Sequence, residues 1–228
     1  MKVILISGAS RGIGRKIAEQ LLTENYLLSL GVRNPDIFED TAFSNNEKVL
    51  IHPYEATSKE SPIDWVKATV TKFDRIDGVI NCAGILKRVQ FEDDNEDDLD
   101  KLWEINVKAP WRLTRETFPY LKKTGEGRVI NLVSMSGKRV KGTLAGYSVS
   151  KFAFLALSQS MRNVGWEEGI RVTAICPSFV NTDMAQGVSV KPEEITQPED
   201  IAKVVSTVLS LPNTAHINEI LVNFSLEK

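Results

Sequence analysis

Short apolar segments recur along the chain, and longer stretches with helical spacing separate them. Most of the apolar segments are continuous rather than alternating, which is typical of strands covered on both faces. Between them, apolar side chains such as Ile13, Ile17 and Leu21 recur every four positions, as on one face of a helix. The alternation predicts an α/β fold with a doubly wound, seven-stranded, mainly parallel sheet and helices on both faces. The apolar segments are 3–6, 26–30, 48–52, 78–81, 128–133, 171–176 and 219–223.

No linker, internal repeat or low-complexity tract interrupts this pattern, so we interpret residues 1–228 as a single domain. The least regular segment is 180–197, which contains Gly187 and Pro192. We expect this segment to form a mobile loop or a lid over a substrate.

Composition and charge are those of an ordinary globular protein. Of the 228 residues, 42% are hydrophobic and 25% are charged, and the net charge is −2. This balance gives no reason to expect a nucleic acid or an anionic membrane as a partner. No apolar run approaches the roughly 20 residues of a membrane span, and the first residues lack a signal-peptide pattern. Cys82 and Cys176 both end apolar segments, so we expect buried, reduced thiols and a cytoplasmic protein.

Residues 91–100, FEDDNEDDLD, form a strongly acidic run. Carboxylates are metal ligands, but these crowd one local stretch without a recognisable ligand spacing. Acidic residues also favour the first turn of a helix, where they stabilise the helix dipole. We therefore interpret the run as a solvated loop and helix start, and we expect no metal site.

Three glycines stand where the first predicted strand ends, in SGASRGIG at residues 7–14. Gly8, Gly12 and Gly14 would let the backbone approach a pyrophosphate, and the N-terminus of the following helix would stabilise its negative charge. The motif therefore predicts a Rossmann-like dinucleotide-binding turn. Its spacing is G-x-x-x-G-x-G, and a tight strand-to-helix connection also selects glycine, so the turn by itself leaves both interpretations open.

A second group of residues follows the fifth apolar segment. Tyr147 and Lys151 are four residues apart and share one helix face, and Ser134 lies thirteen residues before Tyr147. Singly, these are ordinary surface or strand-end residues. Together with the glycine turn, NCAG at 81–84 and NVKAP at 106–110, in this order, they make a chain that resembles the short-chain dehydrogenase/reductase family in its single-domain form. The resemblance covers essentially the whole chain.

The resemblance implies a catalytic set of Asn106, Ser134, Tyr147 and Lys151. In the family, the tyrosine is the acid/base, the lysine also holds the ribose, and the asparagine holds a water in a proton relay. The resemblance also implies a larger set of cofactor-binding positions. These are Ser7, Gly8, Gly12, Ile13, Gly14, Glu55, Ala56, Asn81, Ala83, Gly84, Tyr147, Lys151, Pro177, Val180 and Thr182.

The sequence departs from the family pattern at two informative positions. Cys82 replaces an asparagine that supports the sheet, so we expect altered local hydrogen bonding rather than lost activity. Ser178 replaces a glycine in segment 177–184, which lies along the nicotinamide in the family, so the family's backbone conformation is not carried over to this position.

These residue types suit the reduction of a carbonyl group, which needs hydride at carbon and a proton at oxygen. The reference pKa of tyrosine is about 10, which is too high for easy proton exchange at neutral pH. A lysine ammonium one helical turn away favours the phenolate, so we expect Lys151 to lower the pKa of Tyr147. The hydroxyl of Ser134 would donate to the substrate oxygen as charge develops there.

The choice between NADP and NAD depends on the end of the second strand, about 20 residues past the glycine turn. There the sequence reads LGVRNPD, with Arg33 at the discriminating position and no acidic residue before Asp36. Arg11, inside the glycine turn, adds another cation. A guanidinium suits a 2′-phosphate, whereas an acidic group would bind the free 2′-hydroxyl. We predict that Arg11 and Arg33 bind NADP(H), and two solvated arginines are the alternative.

The predicted function is therefore an NADP(H)-dependent oxidoreductase that transfers hydride between the nicotinamide and a carbonyl or alcohol substrate of the ketone, aldehyde or 3-oxoacyl type. The alternative is an inactive family member that binds NADP as a sensor or scaffold, although the complete catalytic set argues against it. A sugar-nucleotide epimerase shares Tyr-x-x-x-Lys, but it needs another glycine spacing and a longer C-terminal region.

A basic set gives the one hint about the substrate. Its members lie in two loops that follow the carboxyl ends of strands, where ligands bind in this fold. The set fits an anionic substrate or an acyl group on an acidic carrier, and solvated lysines and arginines are the alternative. Its members are Lys87, Arg88, Lys138, Arg139 and Lys141.

We expect a homodimer or homotetramer formed by the helices near residues 99–121 and 148–166. In the second helix, apolar side chains from Phe152 to Met161 point almost all the way around, and the sheet covers only one side. Left bare, they would form a large apolar patch on a soluble monomer, and a two-fold partner would bury it. Family members commonly pair through these helices. Cover by loops of the same chain is the alternative.

Overall fold

The computed structural model describes residues 1–185 and 190–225. Its centre is a sheet of seven strands, and every pairing between them is parallel. The predicted doubly wound α/β fold is confirmed, and each strand overlaps the apolar segment that predicted it. The strands are β1 Val3–Ser7, β2 Leu27–Val32, β3 Val49–Pro53, β4 Gly78–Asn81, β5 Arg128–Leu132, β6 Arg171–Pro177 and β7 Glu219–Val222.

Helices cover both faces of this sheet. Successive side chains of β1 point to opposite faces, so Ile4 and Ile6 pack in one apolar layer and Val3 and Leu5 in the other. Helices α1 and α6 pack on the first layer, and α2, α4 and α5 pack on the second. The helices are α1 Gly12–Thr23, α2 Ser61–Phe73, α3 Glu96–Trp103, α4 Ala109–Thr124, α5 Ala145–Gly165 and α6 Pro198–Ser210.

The strand order creates the crevice in which a ligand would bind. The order is β3-β2-β1-β4-β5-β6-β7, so the chain builds outwards from β1 to β3 and then returns to pair β4 with the other side of β1. At such a reversal the connections leave neighbouring strands in opposite directions and open a crevice above their carboxyl ends. The glycine turn after β1 and the segment after β4 border this crevice.

The predicted helix near residues 99–121 is interrupted. A π-helical turn, Glu104–Lys108, separates α3 from α4, and the backbone N–H of Ala109 donates to the carbonyl of Glu104. Pro110 has no N–H, so the regular hydrogen bond to the carbonyl four residues earlier cannot form there. Asn106 lies at the centre of this π-helical turn.

The acidic run 91–100 forms a loop followed by the first turn of α3, as predicted. Asn95 caps this helix by accepting a hydrogen bond from the N–H of Asp98 at 3.2 Å. Asp98 also forms ion pairs with Lys87 at 3.5 Å and Lys101 at 3.4 Å. The run therefore stabilises a helix start through its cap and its charges.

The segment 180–197, which we expect to form a lid, is described in part, because residues 186–189 lie outside the described residues. The ends of the segment are tied together, since the N–H of Asn181 donates to the carbonyl of Thr196 at 2.9 Å. Its mobility stays a prediction. Along the described ranges of the chain, no helix has both the length and the apolar character needed to cross a membrane.

Candidate active site

A groove of about 590 Å³ lies above the carboxyl ends of β1, β2 and β4. Its walls come from the glycine turn, the end of β2, the segment after β4 and the segment after β6. The groove thus collects most of the predicted cofactor-binding positions. Those on its walls are Gly8, Arg11, Gly12, Ile13, Gly14, Arg33, Glu55, Ala56, Ala83, Gly84 and Thr182.

Close packing explains the glycines of the turn. Gly8 has φ +73°, and a Cβ atom there would lie 2.8 Å from the backbone of Ala83. A Cβ on Gly14 would lie 2.3 Å from the carbonyl oxygen of Gly8. Gly12 has φ +55°, and its Cβ would lie 3.2 Å from the methyl group of Thr182. Side chains at these positions would therefore push apart the elements that form the groove.

The N-terminus of α1 borders the groove without a cap of its own. Arg11 occupies the N-cap position, but its side chain makes no capping hydrogen bond, and the first turn contains no acidic residue. The other helix at the groove, α6, has a capping box formed by Gln197 and Asp200. The N–H groups and the positive dipole end of α1 are therefore available to an anion.

Four cationic side chains line the groove, and three of them are neutralised by carboxylates. Arg11 forms an ion pair with Asp183 at 2.5 Å, which joins the glycine turn to the segment after β6. Arg15 and Lys16 pair with carboxylates on α1 and α6. Arg33 is exposed, and no ion pair involves it among the residues that the structure describes. Arg33 is thus the groove's uncompensated positive charge within that part of the chain.

Two predicted cofactor-binding residues support the groove from behind. The hydroxyl oxygen of Ser7 accepts hydrogen bonds from the N–H groups of Cys82 and Ala83, both at 3.2 Å, and so holds the segment after β4 against β1. The side-chain amide of Asn81 points towards α4, where it donates to Thr114 at 2.9 Å. Both side chains are buried, and neither is on the wall of the groove.

A second cavity, of about 270 Å³, adjoins the groove. Ile13, Cys82, Gly84, Thr182 and Met184 belong to the walls of both spaces. Three of the four predicted catalytic residues also line this second cavity, as do two further predicted cofactor-binding residues that are not on the wall of the groove. They are Ser134, Tyr147, Lys151, Pro177 and Val180.

Tyr147 and Ser134 both line this cavity, and Ser134 lies close enough to influence the pKa of the Tyr147 hydroxyl. Tyr147 lies in the first turn of α5, and Ser134 lies two residues after β5, so the loop between them brings the two hydroxyls together. Burial raises the pKa of Tyr147 to about 12, and Ser134 opposes this rise only in part. Tyr147 is therefore a neutral phenol at neutral pH.

Lys151 lies one turn further along α5, and its ammonium donates to the carbonyl of Leu132 at 3.2 Å. Its nitrogen lies 5.8 Å from the ring centre of Tyr147. Burial lowers the pKa of Lys151 to about 8. The predicted net lowering of the Tyr147 pKa is wrong for this structure, because burial disfavours the charged phenolate and raises the pKa instead. Burial likewise disfavours the charged form of Lys151.

Asn106 is buried in the π-helical turn and lies on the wall of neither cavity. Its side-chain oxygen accepts from the N–H of Ile85 at 2.9 Å, and its nitrogen donates to the carbonyl of Ile85 and to the hydroxyl of Ser150, both at 3.0 Å. A Cβ on Gly84 would lie 3.2 Å from the oxygen of Asn106 and 3.6 Å from the nitrogen of Lys151. Asn106 therefore lies directly behind the wall that the two cavities share.

The structure adds apolar residues that the sequence did not assign to a site. Phe179, Met184 and Phe224 line the second cavity, and the rings of Phe179 and Phe224 pack with their centres 6.1 Å apart. Phe179 and Met184 belong to segment 177–184. The resemblance of this segment to the family's nicotinamide segment could have predicted that they lie at the site. Phe224 follows β7 and belongs to no motif.

A family profile described as short chain dehydrogenase matches residues 2–193. Among curated relatives, an agropine synthesis reductase of Rhizobium rhizogenes is 41% identical over 217 residues, which make up 94% of this chain and 50% of that protein. The chain therefore spans about half the length of that relative. An uncharacterized oxidoreductase of Staphylococcus epidermidis is 31% identical over 221 residues, and the match covers 97% of this chain and 96% of that protein.

Solved structures resemble the chain over its whole length. An alcohol dehydrogenase from the archaeon Thermococcus sibiricus, complexed with 5-hydroxy-NADP, has a TM-score of 0.90 at 28% identity, covering 100% of this chain and 99% of that one. A 3-ketoacyl-(acyl-carrier-protein) reductase from Brucella melitensis, complexed with NADH, has a TM-score of 0.88 at 21% identity, covering 97% and 96%. At 21% identity, the similarity to the Brucella melitensis reductase shows a shared fold only.

Proposed function

Because the chain belongs to the short-chain dehydrogenase family and is an oxidoreductase of that family, we propose that it transfers hydride between NADP(H) and a carbonyl or alcohol substrate, with Tyr147 as acid/base. One observation carries the proposal. Ser134 and Tyr147 both line a cavity that shares walls with the glycine-lined groove. We name these spaces the substrate cavity and the cofactor groove.

The cofactor groove fits a dinucleotide in shape and charge. The uncapped N-terminus of α1 would hold the pyrophosphate, and the glycine turn would let its oxygens approach the backbone. Glu55 and Ala56, two of the cofactor-binding positions that the resemblance implies, also border the groove. When bound, NADPH supplies the hydride, which no protein side chain provides.

The preference for NADP(H) over NAD(H) depends mainly on Arg33. Its guanidinium lines the groove at the end of β2 and forms no ion pair within the described part of the chain. A 2′-phosphate would therefore gain charge-assisted hydrogen bonds there without displacing a carboxylate. Arg11 would contribute less, because Asp183 already neutralises it.

The proton for carbonyl reduction comes from Tyr147. Its pKa of about 12 keeps the phenol protonated at neutral pH, so it can donate to the carbonyl oxygen as that oxygen gains charge. Ser134 stabilises the same oxygen by a hydrogen bond. Lys151, with a pKa of about 8, stays largely protonated at neutral pH, and its charge stabilises the phenolate that remains.

NADPH oxidation with a panel of ketones, aldehydes and 3-oxoacyl thioesters tests the proposal. We expect at least one class to be reduced, with NADPH used in preference to NADH. An inactive NADP-binding protein would instead bind NADPH, as seen by a change in its fluorescence, and oxidise it with no member of the panel. That outcome would overturn the proposed reaction.

We further propose that residues 1–228 form one domain that associates as a homodimer or homotetramer through α4 and α5. Apolar side chains on these helices are exposed, including Trp111 at 47% and Phe152 at 40%. A second copy presenting the same helices would bury them. Light scattering over a range of protein concentrations should give a mass above 25.4 kDa, and a persistent monomer mass would contradict this interface.

We also place the reaction in the cytoplasm. Cys82 and Cys176 are free thiols rather than a disulfide pair. Free thiols persist in a reducing compartment, which supports this location.

A further inference from the structure

The charged groups on the wall of the substrate cavity have one sign. Arg139, Lys141 and Lys151 lie on this wall, and no aspartate or glutamate does so within the part of the chain that the structure describes. The wall of the cofactor groove differs, because carboxylates accompany its cations. Hydride transfer to a neutral carbonyl would give no reason for this asymmetry.

The hydride-transfer chemistry explains one of the three cations. Lys151 stabilises the phenolate of Tyr147, but Arg139 and Lys141 have no part in that step. Both lie in the loop 138–144, which connects the turn Met135–Gly137 to α5. The N–H of Arg139 donates to the carbonyl of Met135 at 3.2 Å and anchors the start of this loop. The loop therefore holds two cations on the wall that carries the reactive hydroxyls.

A neighbouring lysine shows that position in this loop does not by itself place a charge on the cavity wall. Lys138 forms an ion pair with Glu219 at 2.7 Å and is not on the wall. Lys141 lines the cavity, and no ion pair involves it within the described ranges. Lys138 is therefore a matched control for Lys141.

We propose that the substrate of this enzyme carries a carboxylate, held by Lys141, in addition to the carbonyl that is reduced; this inference rests on the proposed function. A carboxylate brought beside Lys141 gains charge-assisted contacts that an uncharged group cannot make. Hydride from NADPH adds to the carbonyl carbon, Tyr147 gives its proton to the oxygen, and the products are a hydroxycarboxylate and NADP⁺. The carboxylate itself is unchanged.

The size of the cavity favours a small oxocarboxylate over an acyl group on an acidic carrier protein. Its volume of about 270 Å³ is at the lower end for ligand sites. The acidic surface of a carrier would meet cations outside the cavity, where Lys87 and Lys138 are already paired with carboxylates and only Arg88 of the basic set is exposed without an ion pair in the described part of the chain. The apolar wall formed by Phe179, Met184 and Phe224 suits the carbon chain of the substrate.

Paired substrates test the inference. We would measure NADPH oxidation with oxocarboxylates of increasing chain length, each compared with its own methyl ester, in the wild type, Lys141→Ala, Lys141→Arg and Lys138→Ala. The best acid should exceed its ester in kcat/KM by about ten- to hundredfold, which is the range expected for hydrogen bonds to a charged group. Lys141→Ala should lower this ratio several-fold, whereas Lys141→Arg and Lys138→Ala should retain it.

Binding measurements separate failure of this inference from failure of the proposed function. Each acid and ester would be titrated into the wild type with NADPH bound, with NADPH fluorescence as the readout. Acids that bind more tightly than esters but are never reduced would support the carboxylate site and overturn the proposed reaction. Esters reduced as well as acids, or equal loss of the ratio in Lys138→Ala and Lys141→Ala, would overturn the carboxylate site.

Discussion

The cofactor groove and the substrate cavity share a wall, but the first depends mainly on the backbone and the second mainly on side chains. The groove depends on backbone, because its features are close-packed glycines and an uncapped helix terminus. The substrate cavity depends on side chains, because two hydroxyl groups line it together with charged groups that are all positive within the described residues. From this difference we expect cofactor binding to respond mainly to the shape of the backbone, and turnover to respond to single side-chain atoms.

Tyr147→Phe should have the largest effect, and it should affect the substrate cavity rather than the cofactor groove. Removal of the phenolic oxygen removes the proton donor, so turnover should fall by about 10²- to 10⁴-fold. NADPH binding should be nearly unchanged, because the groove is built from other segments. Steady-state rates and NADPH titration check both halves. Tyr120→Phe, on α4, is the control, and activity of Tyr147→Phe within about tenfold of the wild type would contradict the role of Tyr147.

Gly14→Ala should have its effect on the groove side. Its Cβ would lie 2.3 Å from the carbonyl oxygen of Gly8, so the turn must shift, at a cost of about 1–3 kcal/mol. If that cost falls on the bound state, the Kd for NADPH rises by up to about hundredfold.

The control for Gly14→Ala is Gly125→Ala. Gly125 has φ +65° but open space around its missing Cβ, so alanine there strains the backbone without touching the groove. NADPH titration and urea unfolding of both variants distinguish the two effects. Equal NADPH affinity in both variants would show that the packing of the glycine turn does not determine cofactor binding.

Arg33→Asp should change cofactor choice rather than turnover with a saturating cofactor. The ratio of kcat/KM for NADPH to that for NADH should fall by about tenfold, a modest factor because an exposed guanidinium is partly screened by water. Arg11→Ala should lower the ratio less, since Asp183 already pairs with Arg11. A wild type that prefers NADH, or a larger effect at Arg11, would reverse the assignment.

The smallest expected effect is on stability, and it comes from Lys151. Its pKa is about 8 in the folded chain and 10.5 as its ordinary value, so the unfolded chain binds more protons above pH 8. The free energy of unfolding should therefore rise with pH, by about 1 kcal/mol between pH 8 and pH 9. The Cys82 thiol, whose pKa burial raises from 9.0 to about 12, acts in the opposite direction, weakly as the pH approaches 9 and more strongly above it.

Urea unfolding at pH 8 and pH 9 measures the Lys151 effect. Lys151→Met should remove the rise, and Lys123→Met, at an exposed lysine of α4, should keep it. An equal rise in Lys151→Met and the wild type would mean that other groups produce the pH dependence.

The fold could be predicted because the strands are continuous apolar runs. The segments 3–6 and 171–176 each extend by one residue in the structure, as Val3–Ser7 and Arg171–Pro177. The π-helical turn could not be predicted from spacing, because a single extra residue in a helical turn leaves the apolar pattern on each side intact. Pro110 was the available signal, since it cannot donate to the preceding turn.

The candidate site shows a similar division. The motifs predicted that Ser134, Tyr147 and Lys151 lie close together, because they fix which strand and which helix carry each residue. The direction of the pKa shift at Tyr147 could not be predicted, since it depends on how deeply the phenol is buried. The inward turn of Asn81 towards Thr114 likewise depends on tertiary packing.

The two hydrogen bonds between Asn106 and Ile85 have a consequence for the shared wall. A carboxamide carries the same donor and acceptor pair as a peptide group, so Asn106 pairs with the backbone of Ile85 as a neighbouring strand would. The segment after β4 is thereby held like sheet beyond the last residue of its strand. Aspartate has the same shape but lacks the donor, and serine is too short to make both bonds. The wall between the cofactor groove and the substrate cavity thus depends on the side-chain amide of Asn106, which takes the place of a neighbouring strand.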